Sequence, residues 1–505
     1  MRIAFAAAEL TPWVSTGGLG EVVAALPKAL AALGHDVAVY VPLYRQVRQS
    51  VGARGARLVD TGAVSHVWMG GNRVDARVFR IAEESRTVAL QSGKFEAVRG
   101  DHGTVNTYAV DCPVLFDRDG IYGHSDDAAR FSTFARAVLN TAHKLLSGHP
   151  DIVHAHDWHT ALLPVYLEGP YRRLLPNTAS VVTIHNLAYQ GLFPLSELST
   201  IGLDRTTLHP EKLEFFGHLN WLKGGIAAAD AITTVSPRYA EEIRTPEFGE
   251  RLDGVLNHHS RRLFGILNGI DTDQWNPSKD KYLSHKFSAA DLKGKDDCRR
   301  TVLAMANMDG NDHHPVFGIV SRLSKQKGLD LLADLVPYLA SRSVRVILLG
   351  KGEPALEDRF EALERQFSNY VRVRIGFEPD LAHVLQAGAD AILMPSRYEP
   401  CGLTQMYAMR YGTLPIVRAV GGLFDSVVPA TKRTVAEKTA TGFTYDHDTH
   451  AGLQWAIDRA LEIYYGQPEV WRQMQQTAMA ADFSWKTSAR RYVDVYRLAQ
   501  GRKRP

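Results

Sequence analysis

The segment SRLSKQKGLDLLADLV contains three cationic residues, Arg322, Lys325 and Lys327. They lie between a short apolar segment and a helical pattern. Positive charge at a helix N-terminus opposes the helix dipole, so this arrangement is unfavourable unless an anion binds there. The forked guanidinium and the point-charge ammonium together suit a diphosphate. The alternative is a solvated basic helix start, but the unfavourable charge placement favours an anion site.

A carboxylate and a second candidate anion site occur together in MPSRYEPCGLTQMYAMRYG. Glu399 follows an apolar strand, and Gly402 and Thr404 would begin the next helix with free N–H groups and a hydroxyl that point outward. A ligand that carries both hydroxyls and phosphates would use both features. The spacing therefore favours a nucleotide sugar.

Two adjacent glycines separate an apolar strand from an apolar helix in STGGLGEV, the loop that Ser15 opens. We expect Gly17 and Gly18 to adopt positive φ and to let a ligand approach the backbone, while the free N–H groups of the helix attract an anion. The alternative is a tight turn that binds nothing, since the string is not the GxGxxG dinucleotide fingerprint. The helix is expected to end at Gly34.

Histidines cluster in HAHDWHT, which raises the hypothesis of a metal site. Strand alternation places His154 and His156 on one face, but the spacing offers no third ligand beside them. We therefore expect at least one of them to be a hydrogen-bonded core histidine. Asp157, at the end of the strand, is the better functional candidate, as a carboxylate exposed in a cleft.

Two further strings carry polar groups after strands. TIHNLAYQG places His185 just beyond an apolar strand, which by itself is weak support for catalysis. NGIDTDQWNP contains a DxD pattern typical of metal sites in nucleotide-sugar enzymes, but its surroundings are typical of a turn. We interpret Asp271 and Asp273 as structural, and we predict neither a metal nor another cofactor.

The elements that must position these residues are short apolar runs alternating with helical patterns. Runs without clean polar alternation predict two doubly wound, Rossmann-like α/β domains, whose ligands bind beyond the carboxyl ends of parallel strands. Residues 51–130 are less regular, and we interpret them as excursions around a sheet edge. The predicted strands are RIAFAAA, DVAVYVP, DIVHAHD, SVVTIHN, DAITTVS, PVFGIVS, VRVILLG, VRVRIGF, DAILMPS and LPIVRAV.

Turn residues gather between the two halves of the chain in RRLFGILNGIDTDQWNPSKDKYL. They predict a linker at residues 262–278, between an N-terminal domain (1–261) and a C-terminal domain (279–480) that face each other across a cleft. Residues 481–505 predict a final helix and a basic tail that cross back to the N-terminal domain. A linker of this kind would let the domains close over a ligand.

Composition narrows the class of protein. The chain has 505 residues, 45% of them hydrophobic, which suffices for two cores, and its net charge of +3 gives no reason to expect a nucleic-acid or membrane partner. Its three cysteines are widely spaced, which fits a reducing compartment. No leader segment and no apolar window of about 18 residues is evident. We therefore expect a cytoplasmic protein.

These motifs resemble one family along nearly the whole chain, from Arg2 to about Leu498. The strings TGGLGEVVAALPKAL, HAHDWHT, TIHNLAYQG, ILNGIDTDQWNP, SRLSKQKGLDLL, MPSRYEPCGLTQMYAMRYG and FSW are similar to those of bacterial glycogen synthases and plant starch synthases, retaining glycosyltransferases of the GT-B fold. The resemblance implies transfer of glucose from ADP-glucose to the non-reducing end of an α-1,4-glucan such as glycogen. It also implies front-face attack, in which the leaving diphosphate helps to deprotonate the acceptor hydroxyl.

The resemblance also implies roles for individual residues. Arg322 and Lys327 fall on the basic pair that stabilises the leaving diphosphate, and Glu399 falls on the acid that binds the donor glucose. Asp157 and His185 fall on residues that line the sugar and acceptor side. The remaining positions implied to contact substrate are the base-stacking Phe377, the sugar-contacting Asn268, Cys401 beside the donor, and the phosphate-contacting Gly402, Leu403 and Thr404.

One position departs from the family pattern. The first motif of the family usually opens with lysine, but this chain has Ser15 there. We hypothesise that synthase activity survives with altered donor affinity or preference, and that Lys28 or Arg130 could supply the missing cation. The alternatives are a related enzyme with another donor, such as UDP-glucose, or another acceptor, and a glucan-binding protein without catalysis. Retention of Glu399 and the basic pair argues against the last.

Overall fold

The computed structural model describes residues 1–83, 103–310 and 313–502. The chain divides into two compact units, which we call unit 1 (Met1–Gly269 with the C-terminal segment from Trp485) and unit 2 (Ile270–Ser484). Part of the region predicted as sheet-edge excursions, residues 84–102, and the end of the predicted basic tail, residues 503–505, lie outside the described residues.

The described strands follow the apolar runs of the sequence. All ten predicted strands are present, each within or close to its predicted run. In chain order the strands are β1 (Arg2–Ala6), β2 (Asp36–Pro42), β3 (Arg57–Met69), β4 (Asn72–Ala82), β5 (Val105–Asp111), β6 (Ile152–His156), β7 (Ala179–Ile184), β8 (Leu192–Pro194), β9 (Glu214–Phe215), β10 (His218–Asn220), β11 (Ala231–Thr234), β12 (Leu263–Gly265), β13 (Val316–Val320), β14 (Arg345–Gly350), β15 (Val371–Ile375), β16 (Ala391–Met394), β17 (Leu414–Arg418) and β18 (Phe443–Tyr445).

Helices alternate with these strands, as expected for an α/β protein. The described helices are α1 (Gly18–Ala32), α2 (Arg45–Ala53), α3 (Pro113–Phe116), α4 (Asp127–Leu145), α5 (Leu162–Glu168), α6 (Trp221–Ala228), α7 (Pro237–Glu242), α8 (Asp253–His258), α9 (Lys293–Met305), α10 (Leu329–Ser341), α11 (Pro354–Gln366), α12 (Pro379–Gly388), α13 (Thr404–Arg410), α14 (Gly421–Ser426), α15 (Lys432–Ala436), α16 (His450–Gly466), α17 (Pro468–Ala480) and α18 (Trp485–Gly501). The predicted final helix is thus confirmed as α18. No helix in the described ranges is both long and apolar enough to cross a bilayer.

Unit 1 is built on a sheet of nine described strands in the order β12-β11-β7-β6-β1-β2-β5-β4-β3. Neighbouring strands are parallel from β12 to β5 and antiparallel among β5, β4 and β3. Every residue of β6 and β7 is buried, which explains why these strands read as continuous apolar runs without polar alternation. A separate small sheet has the order β8-β10-β9.

Unit 2 is built on six described strands, all parallel, in the order β15-β14-β13-β16-β17-β18. Part of its core lies between α9, α12 and the sheet, where Val302, Leu303, Leu385 and Ile347 are buried together. The carboxyl ends of β13 and β16 are neighbours at one edge of this sheet. The loops that follow them carry the basic pair and Glu399.

Two regions differ from the sequence-based prediction. Residues 51–130 contain the end of α2 and the strands β3, β4 and β5, and these strands extend the main sheet rather than pass around its edge. The alternating burial of β3 hides it from a search for continuous apolar runs. The predicted linker also contains β12, which pairs in parallel with β11, so its first residues belong to the sheet of unit 1.

The predicted end of α1 is confirmed by its hydrogen bonds. Gly34 adopts φ +86, its N–H donates to the carbonyl of Ala31, and the N–H of His35 donates to the carbonyl of Leu30. This is the Schellman pattern, which requires a left-handed residue immediately after the helix. Glycine meets that requirement without a Cβ penalty.

Candidate functional site

Three of the predicted site segments in unit 1 follow adjacent strands. The Ser15 loop follows β1, Asp157 follows β6 and His185 follows β7, and these strands lie side by side in parallel. Parallel strands end at the same edge of a sheet, where ligands of α/β proteins bind. The three segments therefore share one edge of the unit 1 sheet.

Asp157 has an unusual backbone conformation at this edge. Its φ of 56° and ψ of −176° lie at the border of a region that glycine alone adopts readily, which costs about 1–3 kcal/mol. Neighbouring groups hold it there: its N–H donates to the carbonyl of Thr183, while its Oδ1 accepts from the backbone N–H of His185 at 2.7 Å. The carboxylate thus joins the ends of β6 and β7.

The prediction that Asp157 carries an exposed carboxylate was wrong. The residue is only 8% exposed, because its side chain turns back to accept backbone N–H groups at the end of β7. Burial raises the pKa of Asp157 to about 7, and the negative charge of nearby Glu9 adds to the increase. The carboxyl group therefore exchanges its proton near neutral pH, so it can donate to a hydroxyl or accept from one.

His185 is one of a chain of histidines at the same edge. Its Nε2 lies 2.9 Å from Nδ1 of His156, and burial lowers the pKa of His185 to about 3. His154 is the expected core histidine, since its ring nitrogens lie 2.9 Å from the Tyr496 hydroxyl and 2.6 Å from Thr183 Oγ1. Among the described residues, no group of three or more His, Cys, Asp or Glu side chains is arranged to hold a metal ion.

The Ser15 loop is held by a buried carboxylate that the sequence analysis missed. Glu9 accepts hydrogen bonds from the Thr16 backbone N–H at 2.6 Å, the Thr16 hydroxyl at 2.7 Å and the Tyr122 hydroxyl at 2.6 Å. The available signal was an acidic residue directly after the first buried strand. Its three donors fix the position of the loop before any ligand binds.

The glycines of this loop do not have the predicted conformation. Gly17 is extended, with φ of −174°, and Gly18 begins α1 and is absent from the described residues with positive φ. The reason is that α1 begins directly at Gly18, so no left-handed turn is needed. Ser15 lies exposed at the start of the loop and donates from Oγ to the Gly17 carbonyl at 3.0 Å.

Neither Lys28 nor Arg130 lies where it could replace the lysine that the family usually has at position 15. Arg130 is fully buried and donates to the carbonyls of Leu115 and Ile121 and to the Asp127 carboxylate. Lys28 lies ten residues beyond the start of α1, which is about 15 Å along the helix axis and further than a lysine side chain reaches. The Ser15 loop therefore gains no cation from either residue.

In unit 2 the structure joins two of the predicted residues directly. Nζ of Lys327 donates to Oε2 of Glu399 at 2.5 Å, and the Ser396 hydroxyl donates to the same oxygen at 3.0 Å. Glu399 is buried and Lys327 is mostly so, and charge-assisted bonds of this kind are among the stronger hydrogen bonds in proteins. The loops after β13 and β16 are thus connected by an ion pair.

A close backbone approach brings this pair together. Gly328 has φ of +66°, and a Cβ there would lie 1.9 Å from the carbonyl oxygen of Pro395. Only glycine allows the loop after β13 to pack against the end of β16 at this distance. Arg397, which the sequence analysis did not single out, adds to the contact by donating from its N–H to the Gln326 carbonyl and from its guanidinium to Asp330.

Arg322 differs from its neighbours in the same loop. Its side chain is exposed, and the described part of the chain provides no hydrogen-bond or ion-pair partner for its guanidinium. The loop therefore carries an ammonium fixed against a buried carboxylate and, five residues before it, a guanidinium without a described partner. Such a set can bind a diphosphate through the cations and a hydroxyl through the carboxylate.

The remaining predicted residues occupy distinct places. Phe377 is 90% exposed in the loop after β15, Cys401 is buried, and Asn268 is a buried residue of unit 1 whose Oδ1 has no partner among the described residues. Of the two residues predicted to begin the next helix, Thr404 is the first residue of α13, whereas Gly402 lies before the cap residue Leu403. Gly402 has φ of +70°.

The DxD pattern is a turn, as predicted. Oδ1 of Asp271 accepts from the backbone N–H groups of Asp273 and Gln274, and the Lys279 ammonium donates to Asp273. Both carboxylates therefore have structural partners.

Comparison with known proteins decides the family. Residues 2–258 match the family described as starch synthase catalytic domain, and residues 306–478 match glycosyl transferases group 1. The chain is 42% identical to a glycogen synthase of Anaeromyxobacter dehalogenans, over 99% of this chain and 100% of that protein. It is 40% identical to a glycogen synthase of Roseobacter denitrificans, over 98% and 99% of the two chains. The chain belongs to the glycogen and starch synthase family.

Solved structures agree with this assignment. The catalytic domain of starch synthase IV from Arabidopsis thaliana, solved with ADP and acarbose, shares 33% identity with a TM-score of 0.87, over 99% of both chains. A sucrose-phosphate synthase from Thermosynechococcus elongatus, 18% identical with a TM-score of 0.57 over 98% of both chains, shares the fold. The chain is thus a glycosyltransferase with the two α/β units of the GT-B fold.

Proposed function

We propose that this glycosyltransferase transfers glucose from ADP-glucose to the non-reducing end of an α-1,4-glucan such as glycogen, with retention of configuration. The observation that carries the proposal is the Lys327–Glu399 ion pair, together with Arg322 in the same loop as Lys327, whose guanidinium has no partner among the described residues. A binding protein has no need of two cations directed at a leaving diphosphate. The ADP and acarbose bound to the related starch synthase also support a nucleotide donor and a glucan-like acceptor.

The donor is bound by unit 2. Arg322 and Lys327 neutralise the diphosphate, and Glu399 accepts from hydroxyls of the donor glucose. Lysine has three N–H groups, so Lys327 can contact a phosphate oxygen without giving up its bond to Glu399. The other donor contacts are the exposed ring of Phe377 against the base, Cys401 packed beside the donor, and the phosphate contacts of Gly402, Leu403 and Thr404.

The acceptor side is supplied by unit 1. Asp157 and His185 contact sugar hydroxyls, and the unsatisfied Oδ1 of Asn268 accepts from another. The Ser15 loop, with Gly17 and Gly18 at the start of α1, offers N–H groups to the phosphates or the acceptor.

The reaction needs no carboxylate nucleophile. The bond between the glucose anomeric carbon and the diphosphate oxygen breaks early, and the acceptor 4-hydroxyl attacks the same face of the sugar. The proton of that hydroxyl passes to the departing phosphate oxygen, so the products are ADP and a glucan longer by one α-linked glucose. Arg322 and Lys327 stabilise the charge that develops on the diphosphate, the kind of effect that accounts for about 3–4 kcal/mol per group.

Ser15 tunes the reaction rather than abolishing it. A serine hydroxyl at the position of the usual lysine removes one positive charge, and neither Lys28 nor Arg130 restores it. We expect weaker donor binding with the transfer chemistry retained, because Arg322, Lys327 and Glu399 are all present. The Ser15→Lys variant should therefore lower the KM for ADP-glucose with little change in kcat.

The experiment compares incorporation of labelled glucose into glycogen from ADP-glucose and, separately, from UDP-glucose. The natural protein should use ADP-glucose, and a Ser15→Lys variant should do so with a lower KM. Strong preference for UDP-glucose would overturn the donor assignment, and absence of transfer from either donor would overturn the proposed function. If only the Ser15→Lys variant transferred glucose, this would show that the natural protein, with serine at position 15, no longer catalyses this reaction.

The cysteines support a cytoplasmic location. Cys112, Cys298 and Cys401 are all buried, and none of them forms a disulfide in the described part of the chain, as in proteins of reducing compartments. We assign the protein to the cytoplasm on this basis.

A further inference from the structure

Two imidazole rings, those of His156 and His185, are in contact at the carboxyl edge of the unit 1 sheet. His156 is the last residue of β6, and His185 directly follows β7, the strand beside it. Their closest nitrogens, Nδ1 of His156 and Nε2 of His185, lie 2.9 Å apart. One of these nitrogens must carry a proton, and the other must present a lone pair.

Both rings are neutral, so only two proton arrangements remain. Burial lowers the pKa of His156 well below its ordinary value and lowers that of His185 to about 3. In the first arrangement His156 donates from Nδ1, and the proton of His185 is on Nδ1. In the second His185 donates from Nε2, and the proton of His156 is on Nε2.

The surroundings of His156 Nε2 decide between them. This atom is buried, and none of the described residues is its hydrogen-bond partner. The rings beside it are Phe5 and His154, inclined to the His156 ring by only 26° and 35°. An N–H in the ring plane therefore does not point at either aromatic face. The nitrogens of His154 are already bonded to Tyr496 and Thr183.

The second arrangement would bury an N–H donor with no acceptor. Orphaned buried N–H groups are rarer in native proteins than unsatisfied acceptors. The first arrangement leaves only a bare lone pair on Nε2, in contact with apolar rings. The first arrangement is therefore the more stable of the two.

We propose that His156 is a positioning residue that makes His185 an N–H donor toward substrate. With His185 Nε2 occupied as an acceptor, its proton resides on Nδ1, the nitrogen that has no partner among the described residues. His185 is only partly buried, so this N–H is available to a sugar hydroxyl oxygen of the substrate. The substrate contact rests on the proposed function, whereas the proton arrangement does not.

The proton arrangement can be measured directly on the unaltered protein. Two-bond ¹H–¹⁵N correlation spectra of histidine-labelled protein distinguish Nδ1–H from Nε2–H rings, and a His156→Asn spectrum assigns the His156 signals. We expect both His156 and His185 to be Nδ1–H, without change between pH 6 and 8. An Nε2–H signal from either ring would overturn the proposal. This result stands even if the protein transfers no glucose from any donor.

Variants of His156 test the consequence for transfer. The side-chain amide of His156→Asn can place an N–H close to the position of Nδ1, whereas His156→Phe fills the site without a donor. We expect transfer from ADP-glucose to fall about tenfold in the phenylalanine variant, with substantial rescue by asparagine. Thermal melting of both variants shows whether they are folded. Full activity in a folded phenylalanine variant, or an asparagine variant no better than it, would contradict the positioning role.

Discussion

At the scale of single residues, the buried carboxylates of the two units have different electrostatic surroundings. Unit 2 pairs a buried carboxylate, Glu399, with the Lys327 ammonium and the Ser396 hydroxyl. Unit 1 buries Asp157 beside Glu9 with only backbone N–H groups as partners. The first arrangement suits a charged leaving group, and the second suits neutral sugar hydroxyls.

Removing the Lys327 ammonium should reduce catalysis far more than folding. We expect Lys327→Ala to lower kcat/KM for ADP-glucose by about 10²–10³, because the variant loses a cation already placed where charge develops. Arg365→Ala is the matched control, since it removes an exposed cation from α11. Steady-state kinetics of both variants make the comparison. A Lys327 variant as active as the control would rule out its role at the diphosphate.

Asp157 should make stability depend on pH in an unusual direction. Its pKa is 3.8 in the unfolded chain and about 7 in the folded one, so the folded state holds the proton more tightly. Its contribution to stability is greatest below pH 4 and is lost as the pH rises toward 7. The Asp157→Asn variant has no such pH-dependent loss of stability. Its free energy of unfolding, measured relative to that of the natural protein, should therefore rise by about 2 kcal/mol between pH 5 and pH 8.

Thermal or urea unfolding at the two pH values measures this effect. Asp119→Asn, at a carboxylate that is 93% exposed, is the control and should show no such change. A constant difference between the natural protein and Asp157→Asn at both pH values would contradict the raised pKa of Asp157.

At the scale of elements, sequence patterns predicted the strands better than the contacts between loops. Nine of the ten predicted strands are buried runs in which hydrophobicity alone identifies the element, and β15 is the exception, since only Val371 is buried there. β3 was missed because its half-buried residues alternate, and β12 because three residues among turn formers give little signal. The stacking of Trp275 between His383 and Tyr407 depends on three distant segments and has no local signature.

The candidate site also has features that the sequence predicted and features that only the fold revealed. Residue types and spacing were enough to select Asp157, Lys327 and Glu399, since each follows a predicted strand. The burial of Asp157 and the anchoring role of Glu9 required the fold, because both depend on side chains that turn back toward neighbouring strands. The prediction of a positive φ at Gly17 was wrong, because a helix and not a turn begins at that position.

Gly328 offers a test of how elements position the site. An alanine Cβ there would meet the Pro395 carbonyl at 1.9 Å, whereas one at Gly34, also at positive φ, would meet nothing within 4 Å. We expect Gly34→Ala to cost about 1 kcal/mol of unfolding free energy with unchanged transfer. Gly328→Ala should cost more and should lower transfer by displacing Lys327 from Glu399. Equal effects of the two variants on stability and transfer would show that the close approach does not matter.

At the scale of the whole molecule, each unit follows the same plan and offers a different set of side chains. Both place candidate residues at the carboxyl ends of parallel strands, in loops after adjacent strands. Unit 2 offers cations and a carboxylate suited to a nucleotide sugar, and unit 1 offers a titratable carboxyl and a neutral imidazole suited to hydroxyls.

The most direct test of this account is the product formed from ADP-glucose and a defined maltooligosaccharide. Chain length is measured by mass spectrometry and linkage by ¹H NMR, with Glu399→Gln as the control. The account predicts chains extended by single α-1,4-linked glucose units, with little extension by the control. β-linked product, or equal extension by Glu399→Gln, would contradict it.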